Sequence, residues 1–215
     1  MKIVWKGQSF FQIIARYNNE RLVFAIDPFS EGIGLKVPSF EADLLLITHY
    51  HQDHQNVKAI KGQPFIIEGP GEYEVKGAFI RGIDSYHDNV KGRERGKNTI
   101  YSFQVEDIRT CHLGDLGQKE LTEEQVEKIG EIDILMIPVG GNFTISAEEA
   151  TKIINQLEPT IIIPMHYKIP RLTVKLDGPE KFLKKMGTKS PERLEVLSIK
   201  KKDLPEEIKI ILLKP

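Results

Sequence analysis

Cysteine is almost absent. Cys111 is the only one in 215 residues, which excludes an intramolecular disulfide and a thiolate-rich zinc site. Long apolar runs are also missing: Leu44–Ile47 and Ile134–Val139 fall far short of the ~20 residues of a membrane-spanning helix. The first residues, MKIVWKGQSFF, meet charge and glycine too early for a secretory signal. Charge of one sign is lacking as well. Thirty Lys and Arg against 31 Asp and Glu leave a net charge of −1, which disfavours a protein whose main business is coating nucleic acid. No linker, internal repeat or low-complexity segment interrupts the chain. These absences point to a cytoplasmic protein with no membrane partner and one domain over residues 1–215, long enough to bury roughly 70% of its unfolded surface without a disulfide. A Lys- and Glu-rich surface with few Cys and Met is in keeping with a heat-adapted source.

Short apolar or β-branched segments closed by turn residues predict strands at 2–5, 22–26, 43–47, 65–67, 78–83, 99–105, 108–112, 133–138, 160–164, 194–199 and 207–213. Helices are fewer. Thr122 with Gln125, and Ser146 with Glu149, are capping-box pairs, which predict helices over about 123–129 and from 147 to Pro159. Ala147, Ala150, Ile153, Ile154 and Leu157 share one face of the second. A third helix is expected over 178–186. Many strands followed by strands alternating with helices predict sheets with helices packed outside.

Six histidines are present, and three lie in Thr48-His49-Tyr50-His51-Gln52-Asp53-His54, directly after the apolar run. Residues two apart in extended chain point the same way, so His49 and His51 can converge on one point. Asp53 and His54 follow at a different pitch and can serve a second point. Imidazole and carboxylate donors at this spacing suit two neighbouring zinc, manganese or iron ions. A lone histidine is most often solvated or packed in a core, but nothing structural calls for four donors within six residues. Asp115 follows an expected strand and a glycine, and His166 follows Ile161-Ile162-Ile163. By spacing alone, either His87 or His112 could complete the first site.

The HxHxDH cluster resembles the signature of the metallo-β-lactamase superfamily. Several further segments are similar to a narrower branch of Zn-dependent hydrolases that includes L-ascorbate-6-phosphate lactonase-like proteins. They are Gly7-Gln8, Ala25-Ile26-Asp27-Pro28, Gly69-Pro70-Gly71-Glu72-Tyr73-Glu74, Ser85-Tyr86-His87-Asp88, Arg95-Gly96-Lys97-Asn98-Thr99, Cys111-His112-Leu113-Gly114-Asp115, Ile137-Pro138-Val139-Gly140-Gly141 and Ile163-Pro164-Met165-His166-Tyr167. The family's Gly-His in the opening hairpin is Gly-Gln here, at Gln8. The resemblance implies an α+β, four-layer αββα sandwich. It also implies that His49, His51 and His87 bind one divalent metal, that Asp53, His54 and His166 bind a second, and that Asp115 bridges them. His112 then supports the site or packs beside it.

Two such ions, most simply Zn2+, with Mn2+ or Fe2+ as alternatives, would share a bridging hydroxide and hydrolyse an acyl or phosphoryl centre. Asp53 is the expected catalytic carboxylate. His112, Tyr167 and water are the candidate donors to a leaving group. Two cations bring +4; Asp53, Asp115 and hydroxide bring −3, so the residual charge favours a small anionic ester, lactone or phosphoester. The loop Lys91-Gly92-Arg93-Glu94-Arg95-Gly96-Lys97 carries four cations against one anion. Such a run is usually a solvated hairpin tip, but it starts four residues after His87. Arg95 and Asn98 are the expected substrate-orienting pair, Arg because its planar fork suits phosphate or carboxylate.

Three other classes compete. The di-iron oxygen-reducing relatives carry Glu where this chain has His51, and add a flavin domain for which there is no room. Nucleases or phosphodiesterases of the superfamily add an RNA-gripping arm that is not evident here, so nucleic acid is a disfavoured partner. A binding module that had retired its catalytic site would be expected to have lost a ligand. A small-molecule substrate is the expected partner, and a homo-oligomer is compatible with the sequence.

Overall fold

The computed structural model describes residues 1–215. In chain order the elements are β1 (Lys2–Trp5), β2 (Phe11–Tyr17), β3 (Glu20–Ile26), β4 (Phe40–Glu41), β5 (Leu44–Ile47), a 3-10 turn (Val57–Ala59), β6 (Ile60–Lys61), β7 (Phe65–Glu68), β8 (Gly71–Val75), β9 (Ala78–Tyr86), β10 (Lys97–Val105) and β11 (Ile108–His112). They continue with α1 (Glu123–Ile129), β12 (Ile134–Pro138), α2 (Ala147–Leu157), β13 (Ile161–Met165), α3 (Glu180–Lys185), β14 (Glu192–Leu194), β15 (Leu197–Ser198) and β16 (Lys209–Leu213). No helix is long and apolar enough to cross a membrane.

Two sheets form the body. The first has six strands in the order β15-β1-β2-β3-β5-β7, and the second eight in the order β14-β16-β13-β12-β11-β10-β9-β8. Fifty buried apolar residues make one continuous core. It includes Trp5, Phe11, Phe24 and Leu46 from the first sheet and Ile80, Tyr101, Phe103 and Ile163 from the second. A smaller cluster, including Phe10, Val23, Ala25, Leu45 and Ile47, covers the opposite face of the first sheet. Leu44–Ile47 is thus buried on both faces, which is why its sequence is uninterrupted by polar residues.

β11, β12 and β13 run parallel, with α1 and α2 as their crossovers. Both capping boxes form: Thr122 Oγ1 accepts from the Gln125 amide, and Ser146 Oγ from that of Glu149. The layered sandwich is therefore present, with its helices against the second sheet. Over the first sheet the outer layer is reduced to loops, the 3-10 turn and the small β4-β6 ribbon.

Three differences from the sequence expectations have physical causes. β2 is absent from the expected strands, because Gln12 and Arg16 break its apolar pattern, yet it pairs with β1 and β3 along its length. β8, with two glutamates and a glycine, is an edge strand held by pairing to β9. The single strand expected over 194–199 is two, because the chain crosses between the sheets: β14 pairs with β16 and β15 with β1.

Candidate metal centre

The polar residues gather at one end of the sandwich, where strands of both sheets stop. His49, His51, Asp53 and His54 follow β5, and the His54 amide donates to His51 O at 2.9 Å, forming the turn that separates the two pairs. His87 follows β9, Asp115 follows β11 and His166 follows β13. Asp115 is carried by a tight approach: Gly114 has φ +57°, and a Cβ there would lie 2.3 Å from Asn98 Oδ1.

All seven side chains come together in three overlapping groups, each with donor atoms within 4.8 Å of one another. These are His49–His51–His87, His49–His54–Asp115 and Asp53–His54–His166. Asp115 Oδ2 sits centrally, 3.2 Å from His54 Nε2, 3.4 Å from His87 Nε2 and 3.2 Å from His166 Nε2. His112 belongs to none of these groups.

A buried relay orients the imidazoles. Asp27, which in sequence is simply part of a hairpin, accepts from the Thr48 amide at 2.8 Å and the Thr48 hydroxyl at 2.7 Å, and lies 3.0 Å from His54 Nδ1. Because the Thr48 proton goes to Asp27, Thr48 Oγ1 accepts from His49 Nδ1 at 3.0 Å. Both rings therefore present Nε2 inward, and neither nitrogen has an aligned hydrogen-bond partner although both are buried. A carboxylate that fixes one imidazole nitrogen and frees the other is the usual support of a metal-binding histidine. The only clear signal in sequence is an aspartate directly after an apolar strand.

Charge is divided unevenly. Burial lowers the pKa of His54, but Asp115 and Asp27 outweigh it and hold the ring well above the usual histidine value. Burial raises that of Asp115, and His166 and His54 reverse this to well below the carboxylate range. Burial and the neighbouring His54 push His49 far down; burial, His87 and His54 lower His51. Buried imidazole nitrogens without hydrogen-bond partners, beside carboxylates, fit a divalent cation, and a donor set of nitrogen and oxygen without sulfur suits zinc, manganese or iron.

Two expected roles change. Asn98 does not face a substrate: it is buried, its Nδ2 donates to Ser85 Oγ (2.7 Å) and Leu113 O (2.9 Å), and its Oδ1 accepts from the Asp115 amide (3.0 Å). His112 is fully buried, with Nε2 donating to Ser9 O (3.0 Å) and Nδ1 accepting from the Gly114 amide (3.1 Å). Burial also lowers its pKa, so it has no free nitrogen with which to protonate a leaving group.

Arg95 does reach the mouth. Its guanidinium carbon lies 4.9 Å from the centroid of Phe143. It lines a cavity of about 180 Å³ together with His51, Asp53, His87, Asp115, Phe143, His166 and Val174. It also borders an adjoining groove of about 410 Å³ shared with His51, Tyr50 and Lys97. Asp88 shapes the loop, accepting from the amides of Val90, Gly92, Glu94 and Arg95 at 2.7–2.9 Å. Burial would raise its pKa; these four donors more than offset that and hold it at about 2. Nothing in the sequence marks Asp88 or Phe143 for these parts.

Residues 2–166 match the model of the β-lactamase superfamily domain. The chain belongs to the metallo-β-lactamase superfamily. Within the superfamily it is a member of the UPF0173 metal-dependent hydrolase family. A relative of that name from Thermococcus onnurineus is 28% identical, covering 96% of this chain and 99% of its own. A UPF0173 protein of Pyrococcus abyssi is 30% identical over 78% of this chain and 83% of its own. Among solved structures of the superfamily, one described as a Zn-dependent hydrolase from Thermotoga maritima is 37% identical. It superposes with a TM-score of 0.79, covering 99% of this chain and 97% of its own.

Proposed function

We propose that this metal-dependent hydrolase is binuclear and acts on a small anionic ester, lactone or phosphoester, a chemistry similar to that of the L-ascorbate-6-phosphate lactonase-like branch. The observation that carries the reading is Asp115 Oδ2, within 3.4 Å of an imidazole nitrogen from each of two donor groups. His49, His51 and His87 would hold one cation, Asp53, His54 and His166 the other, and Asp115 both. Zinc is the favoured ion, supported by the nitrogen and oxygen donors and by the description of the Thermotoga relative. When bound, the pair would polarise the scissile group and activate water at neutral pH.

The chain's own residues do the rest. Arg95, stacked on Phe143, presents a cation with no acidic partner to both hollows and orients the anionic part of the substrate. Phe143 and Val174 close one side of the smaller cavity against water. Asp53, whose side chain is 23% exposed, reaches that cavity and can hold or move a proton beside the substrate. His112 is committed to backbone and Tyr167 packs on Trp5 without lining either hollow, which leaves water as the proton source. A cytoplasmic site of action goes with this reading.

The test is a panel of lactones, phosphodiesters and single-stranded RNA offered to zinc-, manganese- and iron-reconstituted protein. Turnover of a small anionic ester that chelation abolishes supports the reading. Cleavage of RNA with no activity on small esters would replace it with a nuclease.

A further inference from the structure

The two donor groups share the Asp27–Thr48 relay and differ in their remaining supports. His49 is held by Thr48, and the His87 amide by Gly96 O at 3.1 Å. In the second group Asp27 holds His54, and the turn between β1 and β2 holds Asp53 and His166. That turn is closed by Lys6 N to Phe10 O at 2.8 Å and Phe10 N to Gly7 O at 2.9 Å, with Gln8 in the left-handed region at φ +50°.

Gln8 is fully buried and makes two contacts to that group. Its Nε2 donates to Asp53 Oδ2 at 3.1 Å. Its carbonyl oxygen accepts from the His166 amide at 3.1 Å, and from Trp5 Nε1 at 2.8 Å. Trp5 in turn packs on Tyr167, ring centroids 4.9 Å apart. The next residue, Ser9, donates its hydroxyl to Asp115 Oδ1 at 3.1 Å, leaving Oδ2 to face the histidines. None of the hydrogen bonds from this turn reaches His49, His51 or His87. The Gln8 Oε1 has no partner, so the amide has a single anchor, and that anchor is Asp53.

We propose that Gln8 is the positioning residue of the second metal site alone, fixing Asp53 through its side chain and His166 through its backbone. The assignment rests on the binuclear reading above. A neutral amide suits this position because it orients the Asp53 carboxylate without cancelling the charge a cation needs, as a lysine or arginine there would. Gln8 therefore tunes the affinity of the second cation through Asp53 and His166, while Asp27 holds His54 and Asp115 couples the two sites.

The experiment is a titration of the metal-free full chain with Co2+, followed by electronic absorption and by competition with a chromophoric chelator, which gives a dissociation constant for each ion. Gln8→Met keeps the volume and removes the donor. It should weaken one ion by ~10–100-fold, the usual effect of losing a ligand's hydrogen-bond partner, and leave the other unchanged together with its spectrum. Gln8→His, which restores an N–H donor, should recover the lost affinity. Should the methionine variant fold poorly, Gln8→Asn tolerates the left-handed backbone but is too short to reach Asp53, and the same selective loss is expected. A wild-type chain that takes up a single cation overturns the binuclear reading and this assignment with it. A wild type with two ions, both equally weakened or both untouched in the Gln8 variants, overturns this assignment alone.

Discussion

Asn98 Oδ1 accepts a hydrogen bond from the Asp115 backbone amide at 3.0 Å. The contact ties β10 to the turn that carries Asp115, and it turns an expected substrate contact into a support. Asn98→Leu strands the Asp115 amide and Leu113 O in a buried place, at about 1–3 kcal/mol for an unpaired polar group, while Ser85 Oγ keeps its bond to the backbone carbonyl of residue 98. The variant should lose melting temperature, metal affinity and kcat together, while KM for an anionic ester stays near the wild-type value. A rise in KM with unchanged kcat and metal content would return Asn98 to substrate binding.

Arg95 should behave in the opposite way. Losing a hydrogen bond to a charged partner costs about 1.5–3 kcal/mol, so Arg95→Ala should raise KM for anionic substrates by roughly 10–100-fold. A neutral lactone of similar size should be affected far less, with metal content unchanged. Steady-state kinetics on the matched pair decide it, and equal effects on both would make the loop a solvated surface.

What the sequence discloses and what it hides divide along contact distance. HxHxDH is legible because its donors are neighbours at a strand end, and the two capping boxes because each is complete within four residues. The roles of Asn98 and Ser9 are not, because their partner Asp115 is 17 and 106 residues away. Asp27 is visible only as a polar residue after an apolar strand, its meaning depending on a histidine 27 residues on. β2 is hidden for a related reason: Gln12 is polar in sequence but buried between neighbouring strands.

His87 and His112 cannot be separated by spacing, and the geometry ranks them. His87 Nε2 faces Asp115, whereas both nitrogens of His112 are given to backbone. His87→Ala should lose one metal ion per chain. His112→Ala should keep both and show its loss in thermal stability. Elemental analysis of the two variants after dialysis distinguishes them, and the reverse pattern would exchange their roles.

Tyr101 ties the two sheets together beneath the centre. Its hydroxyl lies 2.8 Å from Ile47 O and 3.1 Å from Ile67 O as donor, and accepts from the Gly69 amide at 2.9 Å. Burial raises its pKa above the ordinary tyrosine value, outweighing the opposing effect of the Gly69 amide. A raised folded-state pKa gives stability that is complete below the unfolded value near ~10 and is lost as pH climbs toward the folded one. Tyr101→Phe should therefore be less stable than wild type at pH 7 yet lose less stability between pH 9 and 11. Denaturant melts across that range check it; parallel curves for the two proteins would exclude Tyr101 as the source.

Two cations are proposed to share Asp115. The most direct measurement is metal content and hydrolysis of wild type and Asp115→Ala after reconstitution with excess Zn2+ and gel filtration. Two ions per wild-type chain, one or fewer in the variant, and no hydrolysis by the variant are expected. Two ions retained by Asp115→Ala with wild-type affinity would contradict that sharing.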